Sequence, residues 1–508
     1  MLRKIMRRKV LKDLFLGALS AVLLALSFSG ANLEFLAWFA FGPLFFVLRG
    51  KNKFQAFLFS YITGLIFWAG TIYWLIHVTL FGQIILILYL ALYFGFFGLV
   101  VSAYPPSTTY YLLSIPSIWI LFEYIRSHLM TGFPWALLGY SQYKNLGVIQ
   151  IVDITGAYSV SFLIMMVNVL IYQLIFQRRI SFSRFIVPIL ILAGVLFYGY
   201  FRLTLPTTYY LLPTKLKISV IQGNISQELK WHKGSRDFII NKYLKLTKEA
   251  SKDKPDLLIW PEASLPVVLE DEPEYFTRVN NLAEETGIPL LLGAVTTQKG
   301  FYYNSAILIS PNTKRFTQYN KLHLVPFGEF IPLRDTFPFL QTIAPIGDIT
   351  SGLEYTVFFL PSSSKLQAPS PEAHFGVLIC FEDLFPELSR KFVKGGANFL
   401  VNITNDAWYK RTSALEQHFQ ASVFRAVENR VYLVRSANTG LSGFINPQGR
   451  FVCLDKFSDG HYTKEINPGS GKMSFYTRFG DVFVLICGII IIFSMLTKSK
   501  KRKAKSFP

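Results

Sequence analysis

Charge is scarce in this chain. Only 16% of its 508 residues are charged, against about a quarter in an ordinary soluble domain. Hydrophobic residues make up 52% and aromatics 16%, with 48 Phe. Such a balance excludes a purely soluble globular enzyme and equally a disordered chain, because so much apolar surface has to be buried somewhere. Cysteine is scarcer still. Cys380, Cys453 and Cys487 are too few and too scattered for a disulfide framework or a Cys-rich zinc site. No cluster of Cys, His and carboxylate has metal-ligand spacing, so no metal and no cofactor is expected. Acid is in short supply relative to base, 31 against 51, which leaves a formal charge of +20. That excess sits largely in two tails rather than on a nucleic-acid face. Arg3, Lys4, Arg7, Arg8, Lys9 and Lys12 open the chain, and Lys498, Lys500, Lys501, Arg502, Lys503 and Lys505 close it. Both groups flank hydrophobic runs, the pattern of a membrane protein.

Apolar runs of bilayer-crossing length, about 20 residues, are expected near 13–30, 33–48, 54–79, 83–104, 108–125, 150–176, 185–203 and 478–497. The second is short and contains Pro43, which also suits a re-entrant hairpin. The basic start and the small residues Ser29-Gly30-Ala31 imitate a signal peptide. Because six further apolar segments follow before residue 204, an uncleaved first helix is the expectation. The basic clusters at the N-terminus, at Arg49-Lys51-Lys53, at Arg178-Arg179-Arg184 and at the C-terminus all fall on one side if there are eight crossings. Positive residues mark the cytoplasmic side, so both termini and the uncharged loop at Pro105-Pro106 are expected inside. The whole of 204–477 is then expected outside the cytoplasmic membrane.

That middle region reads differently. Strand-like runs occur at 216–222, 256–260, 289–295, 302–310, 374–380, 398–404 and 431–437, and helical periodicity at 235–251, 272–286, 383–394 and 414–430. In the first helix Phe238, Ile239, Tyr243, Leu244 and Leu246 are expected on one apolar stripe. Alternating strands and helices indicate an α/β layered domain. Three divisions are expected: a transmembrane domain over 1–203, an extracytoplasmic domain over 204–477, and a last span with a basic tail over 478–508.

Cys380 ends an apolar strand and precedes Phe381-Glu382-Asp383 and a helical stretch. A nucleophile on such a turn is exposed, and a helix N-terminus favours its thiolate; a small buried hydrophobe is the competing reading. None of the seven histidines is set in a Cys-protease pattern. Better partners are Glu262, which follows the strand through Trp260-Pro261, and Lys321. Strand C-termini converge on sites in α/β sheets. A carboxylate there can take a thiol proton and an ammonium can balance an oxyanion, although a capping Glu and a solvated Lys would look the same in isolation.

The order of several strings narrows the reading. Trp260-Pro261-Glu262, then Tyr319-Asn320-Lys321 with Leu324-Val325-Pro326-Phe327-Gly328-Glu329, then Ile379-Cys380-Phe381-Glu382-Asp383 resembles the nitrilase, or carbon–nitrogen hydrolase, superfamily. Across nearly the whole chain the similarity is to the apolipoprotein N-acyltransferases of the bacterial envelope. Gln222-Gly223-Asn224 leading to Trp231, Asn405-Asp406-Ala407-Trp408 and Arg435–Gly440 carry it in the α/β region, and Gly132-Phe133-Pro134-Trp135, Gly139-Tyr140-Ser141-Gln142 and Gly156 in the apolar half. The resemblance implies a polytopic helical membrane domain of about eight helices plus an extracytoplasmic nitrilase-like αββα sandwich. It implies Glu262 as proton acceptor, Lys321 as oxyanion stabiliser and Cys380 as nucleophile. Glu329, Glu382 and the backbone amide of Phe381 would support them, and Trp231 and Trp408 would shape the substrate cleft. Phe381 departs from the Tyr frequent after the family's nucleophile, so that position contributes packing or backbone only.

The implied reaction moves an acyl chain from a membrane phospholipid to Cys380, and then to the free α-amine of a diacylglyceryl-cysteine at an apolipoprotein N-terminus. Its expected setting is the bacterial inner membrane, with the catalytic domain on the periplasmic side, membrane lipid and apolipoprotein as partners, no nucleic acid, and a monomeric enzyme. Because both substrates are lipids, the apolar stretch 337–346 is expected as a lid touching acyl chains, with an ordinary buried loop as its alternative. A membrane-anchored amidase would use the same triad with water as acceptor. A transporter would need charges deeper in its spans than Glu123, Arg126 and Asp153, which are expected near helix ends.

Overall fold

The computed structural model describes residues 2–104, 111–176, 183–205, 210–212, 215–311, 316–332, 334, 348–360 and 373–504. The expected lid at 337–346, the Pro105-Pro106 loop and Arg178-Arg179 lie outside the described residues. The chain divides into two compact units, Met1–Thr204 with Phe479–Pro508, and Leu205–Arg478.

The first unit is helical. Four of its described helices, Lys53–Thr71, Leu80–Ser102, Tyr158–Ile175 and Phe185–Thr204, are long and apolar enough to cross a membrane, with mean hydropathies of 1.3, 2.6, 1.8 and 1.9. Further helices include Leu2–Leu26, Tyr111–His128 and Val482–Ala504. The short segment around Pro43 is broken into a 3-10 turn, Glu34–Trp38, and a helix, Gly42–Leu48, with Pro43 in its first turn, where the missing N–H costs nothing. The helix Lys53–Thr71 begins at a capping box in which Asn52 Oδ1 accepts the Gln55 N–H at 2.9 Å. This helix approaches Leu80–Ser102 closely because Gly64 faces Phe94 and Gly98 faces Ser60; a Cβ on Gly98 would stand 2.6 Å from that of Ser60. Small residues are how helices meet without a hydrophobic driving force between them. Large apolar side chains also face outward, among them Phe54, Phe197, Leu485 and Ile489. Helices that are apolar inside and out need a lipid solvent, and this is a membrane protein.

Its buried charges have partners within the unit. Glu123 Oε1 accepts the Leu138 N–H at 2.7 Å, and Arg126 donates to the carbonyls of Phe133 and Trp135 at 2.7 and 2.8 Å. Asp153 accepts the Tyr198 hydroxyl at 2.8 Å and pairs with Arg202 at 3.1 Å. The strings Gly132–Trp135 and Gly139–Gln142 are thereby accounted for as loop anchors, since Gly139 N–H also donates to Ser161 Oγ.

Among its described residues the second unit has thirteen strands. They are β1 (Leu216–Gln222), β2 (Leu257–Ile259), β3 (Leu265–Val268), β4 (Leu290–Gln298), β5 (Phe301–Ile309), β6 (Phe316–Asn320), β7 (Val357–Leu360), β8 (Ala373–Ile379), β9 (Phe399–Thr404), β10 (Leu433–Ala437), β11 (Gly443–Ile445), β12 (Phe451–Cys453) and β13 (Gly460–Ile466). One sheet runs β13-β1-β2-β4-β5-β6 with β3 beside β4, and the other runs β12-β11-β10-β9-β8-β7. Parallel pairs form the centre of each sheet, β1–β2–β4 and β8–β9–β10, and antiparallel strands flank them. Helices Arg236–Ser251 and Pro273–Thr286 bury Ile239, Tyr243, Val279 and Leu282 against Ile221, Leu258 and Leu292 of the first sheet. Helices Pro386–Lys394 and Ala414–Asn429 cover the second. The sheets meet face to face, where Ser436 Oγ lies 3.0 and 3.2 Å from the carbonyls of Ile221 and Ile259. The result is an αββα sandwich.

Two local expectations are corrected here. Phe238 is 57% exposed, and the apolar stripe of its helix runs instead through Ile239, Ile240, Tyr243, Leu246 and Ala250. The strand ending at Cys380 leads into a 3-10 turn, Cys380–Leu384, and the α-helix starts only at Pro386. Cys380 is therefore not held at an α-helix N-terminus, and it is only 8% exposed.

Candidate active site

The candidate residues gather where the central parallel strands end. Glu262 follows β2 and Cys380 follows β8, while Lys321 leaves the antiparallel β6. Sequence separation says nothing of this meeting, because it depends on two sheets facing each other with their parallel centres aligned.

Glu262 is fixed by three neighbours. Its Oε1 accepts Asn304 Nδ2 at 2.8 Å and its Oε2 accepts the Asn405 N–H at 2.9 Å. The third is Lys321, whose Nζ lies 3.7 Å from Oε1. The backbone carrying Glu262 presses against β4, where a Cβ on Gly293 would lie 2.7 Å from the Glu262 Cα. Only glycine fits there.

Lys321 is 1% exposed and contacts Glu329 Oε1 at 2.9 Å, closer than Glu262. Burial alone would push its ammonium toward neutrality, but the charges of Glu329 and then Glu262 outweigh it and hold the pKa raised. Glu329 also takes Asn304 Nδ2 at 2.8 Å and the Val325 N–H at 2.7 Å. Asn304 therefore bridges both carboxylates, a role the sequence reading missed.

Cys380 has φ +52°, a left-handed conformation costly to a side-chain-bearing residue. Asn224, Ala263, Phe327 and Lys410, each next to a site string, share positive φ. Burial and then the Glu262 carboxylate push the Cys380 thiol well above its usual range, with Lys321 and a hydrogen bond from Thr404 opposing. The expectation of a helix-stabilised thiolate is not met: no α-helix begins at Cys380, and its burial beside Glu262 favours the thiol.

Glu382 and Asp383 are both buried and both engaged elsewhere. Glu382 accepts the N–H groups of Ile379 and Leu322 at 2.7 Å and the Tyr319 hydroxyl at 2.9 Å. It thereby ties the loop carrying Lys321 to the turn carrying Cys380, and burial lifts its pKa to about 7. Asp383 and Asp406 enclose His418, whose Nε2 lies 2.9 Å from Asp383 Oδ1 and whose Nδ1 lies 2.8 Å from Asp406 Oδ1. Arg435 completes the group with Nη1 2.9 Å from Asp383 Oδ2 and Nη2 3.1 Å from Asp406 Oδ2. All four side chains are fully buried. Despite burial, the Asp383 charge above all raises His418 to about 9, so it is an imidazolium. Against burial, His418 and Arg435 lower Asp406 to about 2. The quartet is electrically neutral and sits directly behind the nucleophile. No string around His418 signals it; it is visible only in three dimensions.

The remaining candidates are spread around this floor. Phe381 packs its ring against Phe385 and His323, with centroids 5.2 and 6.1 Å apart. Trp231 and Trp408 are about half-exposed, at 46% and 45%. The remaining strings knit the rim: Asn224 N–H donates to the Asn438 carbonyl, Asn438 Nδ2 to Asn405 Oδ1, and Asn405 Nδ2 to Gln227 Oε1. Tyr409, which is partly buried, feels the charges of Asp406, Glu262 and Glu329 and was not anticipated. Neither was Lys230, 1% exposed, which donates to the Glu262 carbonyl at 2.9 Å. Among the described residues, no group of three or more His, Cys, Asp and Glu side chains could hold a metal ion.

Residues 20–170 match the apolipoprotein N-acyltransferase N-terminal domain, and residues 217–471 the carbon-nitrogen hydrolase domain. A relative named apolipoprotein N-acyltransferase in Geobacter metallireducens is 39% identical over 94% of this chain and 93% of its own length. One of the same name in Rickettsia prowazekii is 30% identical over 90% and 92%. Among solved structures, an amidase from Nesterenkonia sp. aligns with 53% of this chain and 95% of its own, at 16% identity and a TM-score of 0.39. This chain belongs to the apolipoprotein N-acyltransferase family and carries a carbon–nitrogen hydrolase domain.

Proposed function

We propose that the protein transfers a fatty acyl chain from a membrane phospholipid to the free α-amine of the S-diacylglyceryl-cysteine that begins an apolipoprotein. The observation that carries this reading is the buried constellation of Glu262, Lys321 and Cys380, in a chain similar along its length to proteins named for that transfer. In the first step Glu262 takes the thiol proton as Cys380 Sγ adds to the ester carbonyl carbon. Lys321 and the Phe381 N–H face the oxyanion. The C–O bond then breaks, Glu262 returns its proton to the departing alkoxide, and lysophospholipid leaves. In the second step the acceptor amine adds to the thioester, Glu262 takes an N–H proton, and the C–S bond breaks. That proton returns to Sγ, and the amide leaves.

A resting thiol suits this scheme. A free thiolate in a site held for lipids invites oxidation, whereas a thiol beside a base is ionised only as a carbonyl arrives. Trp231 and Trp408 offer half-exposed aromatic surface to an acyl chain, and Glu329 and Glu382 hold Lys321 and its loop in position. The membrane half comprises eight crossings in 1–203 and 478–508. The catalytic domain, 204–477, lies on the external face of the bacterial inner membrane, a topology supported by the four basic clusters, and the enzyme acts as a monomer. An amidase would run the same first step but needs no lipid-solvated unit.

The test is the thioester. Phospholipid alone should acylate the enzyme, releasing lysophospholipid in a burst equal to the enzyme present, and hydroxylamine should release the label. A label that never reaches Cys380 sinks the proposal, as does one lost as free fatty acid at the same rate with and without an acceptor lipoprotein.

A further inference from the structure

Lys230 is a buried cation that the scheme above does not use. It closes the four-residue helix Gln227–Lys230, is 1% exposed, and donates to the main-chain carbonyl of Glu262 at 2.9 Å. The same segment is tied to the site wall a second time, since Gln227 Oε1 accepts Asn405 Nδ2 while Asn405 N–H holds Glu262 Oε2.

The charges around the pocket show what it adds. Lys321 lies 2.9 Å from Glu329 and 3.7 Å from Glu262, so its charge is largely matched by Glu329. One negative charge is left over. It rests on Glu262, passes to Cys380 sulfur when the thiol proton is taken, and passes to the oxyanion when the carbonyl is attacked. We propose that Lys230 is a positioning residue whose fixed positive charge balances this travelling negative charge in all three places. The inference deepens the acyl-transfer reading and rests on it.

Burial lowers the Lys230 ammonium to about 8, with the charge of Glu262 opposing. The other ionisable groups around the pocket are Lys321, Glu329, Glu382 and Tyr409, with the neutral Asp383, Asp406, His418 and Arg435 quartet behind Cys380; on its own helix, Glu228 is exposed. The positive charge is thus present at neutral pH and lost as the pH rises through about 8.

The test uses the full-length enzyme in lipid nanodiscs with K230R and K230M. Two rates are followed against pH: acylation of Cys380 by labelled phospholipid, and alkylation of Cys380 by iodoacetamide without added substrate. Wild-type acylation should fall as the pH passes about 8. K230R should acylate at a comparable rate and hold it to about pH 9, because a guanidinium stays charged. K230M should acylate about tenfold more slowly at pH 7 and should need a higher pH for alkylation of Cys380. A purely structural role would not move that alkylation profile. The proposal is overturned by K230M acylating at the wild-type rate or by K230R falling at the same pH as wild type. If K230M does not fold, K230R decides. A wild-type enzyme that forms no thioester defeats the acyl-transfer reading instead, and the alkylation profiles still judge Lys230.

Discussion

The His418 Nε2 nitrogen lies 3.2 Å from the carbonyl oxygen of Cys380, and Asn402 Nδ2 reaches the same oxygen at 3.2 Å. Two buried donors thus hold the nucleophile by its main chain, at the residue whose left-handed backbone needs holding. A histidine near a reactive cysteine would ordinarily be read as its base. Here both ring nitrogens are occupied by Asp383 and Asp406, and the imidazolium serves the backbone.

Removing part of that quartet should destabilise the domain. H418N or R435M leaves buried carboxylates without their cation, a loss of about 3–5 kcal/mol. Gly440 is part of the same packing, since a Cβ there would collide with Asp406 Oδ2. Thermal unfolding of the purified variants in detergent measures the effect, and melting within a degree or two of wild type would show the quartet to be dispensable.

The quartet also sets a pH window for stability. His418 is raised to about 9 from 6.5, so its contribution is full below about 6.5 and disappears as the pH climbs through 9. A shift of that size is worth roughly 3 kcal/mol. Asp406 is lowered to about 2 from 3.8, so its share is full above about 3.8 and is lost as the pH falls through 2. Unfolding followed against pH should therefore show an alkaline decline that H418N lacks.

Within the triad, E262Q should stop acylation of Cys380, because a carboxamide cannot accept the thiol proton. K321A removes an oxyanion donor and should cost roughly 100- to 1,000-fold in rate, while also leaving Glu262 and Glu329 unscreened. Single-turnover acylation with membrane-inserted, folded protein is the measurement. Near-normal rates in either variant would remove these assignments.

The Glu382 tether predicts a different defect. E382Q keeps the shape but cannot accept from Ile379, Leu322, His323 and Tyr319 together. The loop bearing Lys321 should loosen from the Cys380 turn. Acylation should slow and protease sensitivity should rise near residue 322, both partly restored by E382D only if length matters less than charge. Unchanged proteolysis would count against the tether.

Topology is checked by reporter fusions. Fusions after Arg49, Arg179 and Lys498 should report the cytoplasm, and fusions within 215–470 the outside. A cytoplasmic signal from the latter would be incompatible with lipoprotein maturation. Among cysteine variants, C380S should lose turnover because serine lacks a thiolate-forming pKa. C453S and C487S should be nearly silent, since Cys453 lies on an edge strand and Cys487 is buried in the last helix.

By itself the sequence determined the composition of the two halves, the α/β alternation and the order of the strings at Glu262, Lys321 and Cys380. These are local properties. Long apolar runs need lipid whatever they touch, and β1 was readable as a strand-like run over its full length, Leu216–Gln222. Tertiary structure decided what depends on distant neighbours. The strands β7, β11 and β12 are three or four residues long, too short to announce themselves before a partner strand supplies their hydrogen bonds. The charge state of Cys380 follows from how deeply it is buried and which carboxylate faces it, so its strand-to-helix setting misled. Asn304, Lys230 and His418 carry ordinary side chains that no string in the sequence singles out. They become part of the site only because two sheets, once packed, bring residues as far apart as Glu262 and Asn405 within 2.9 Å, where an unpaired polar group would be too costly to leave.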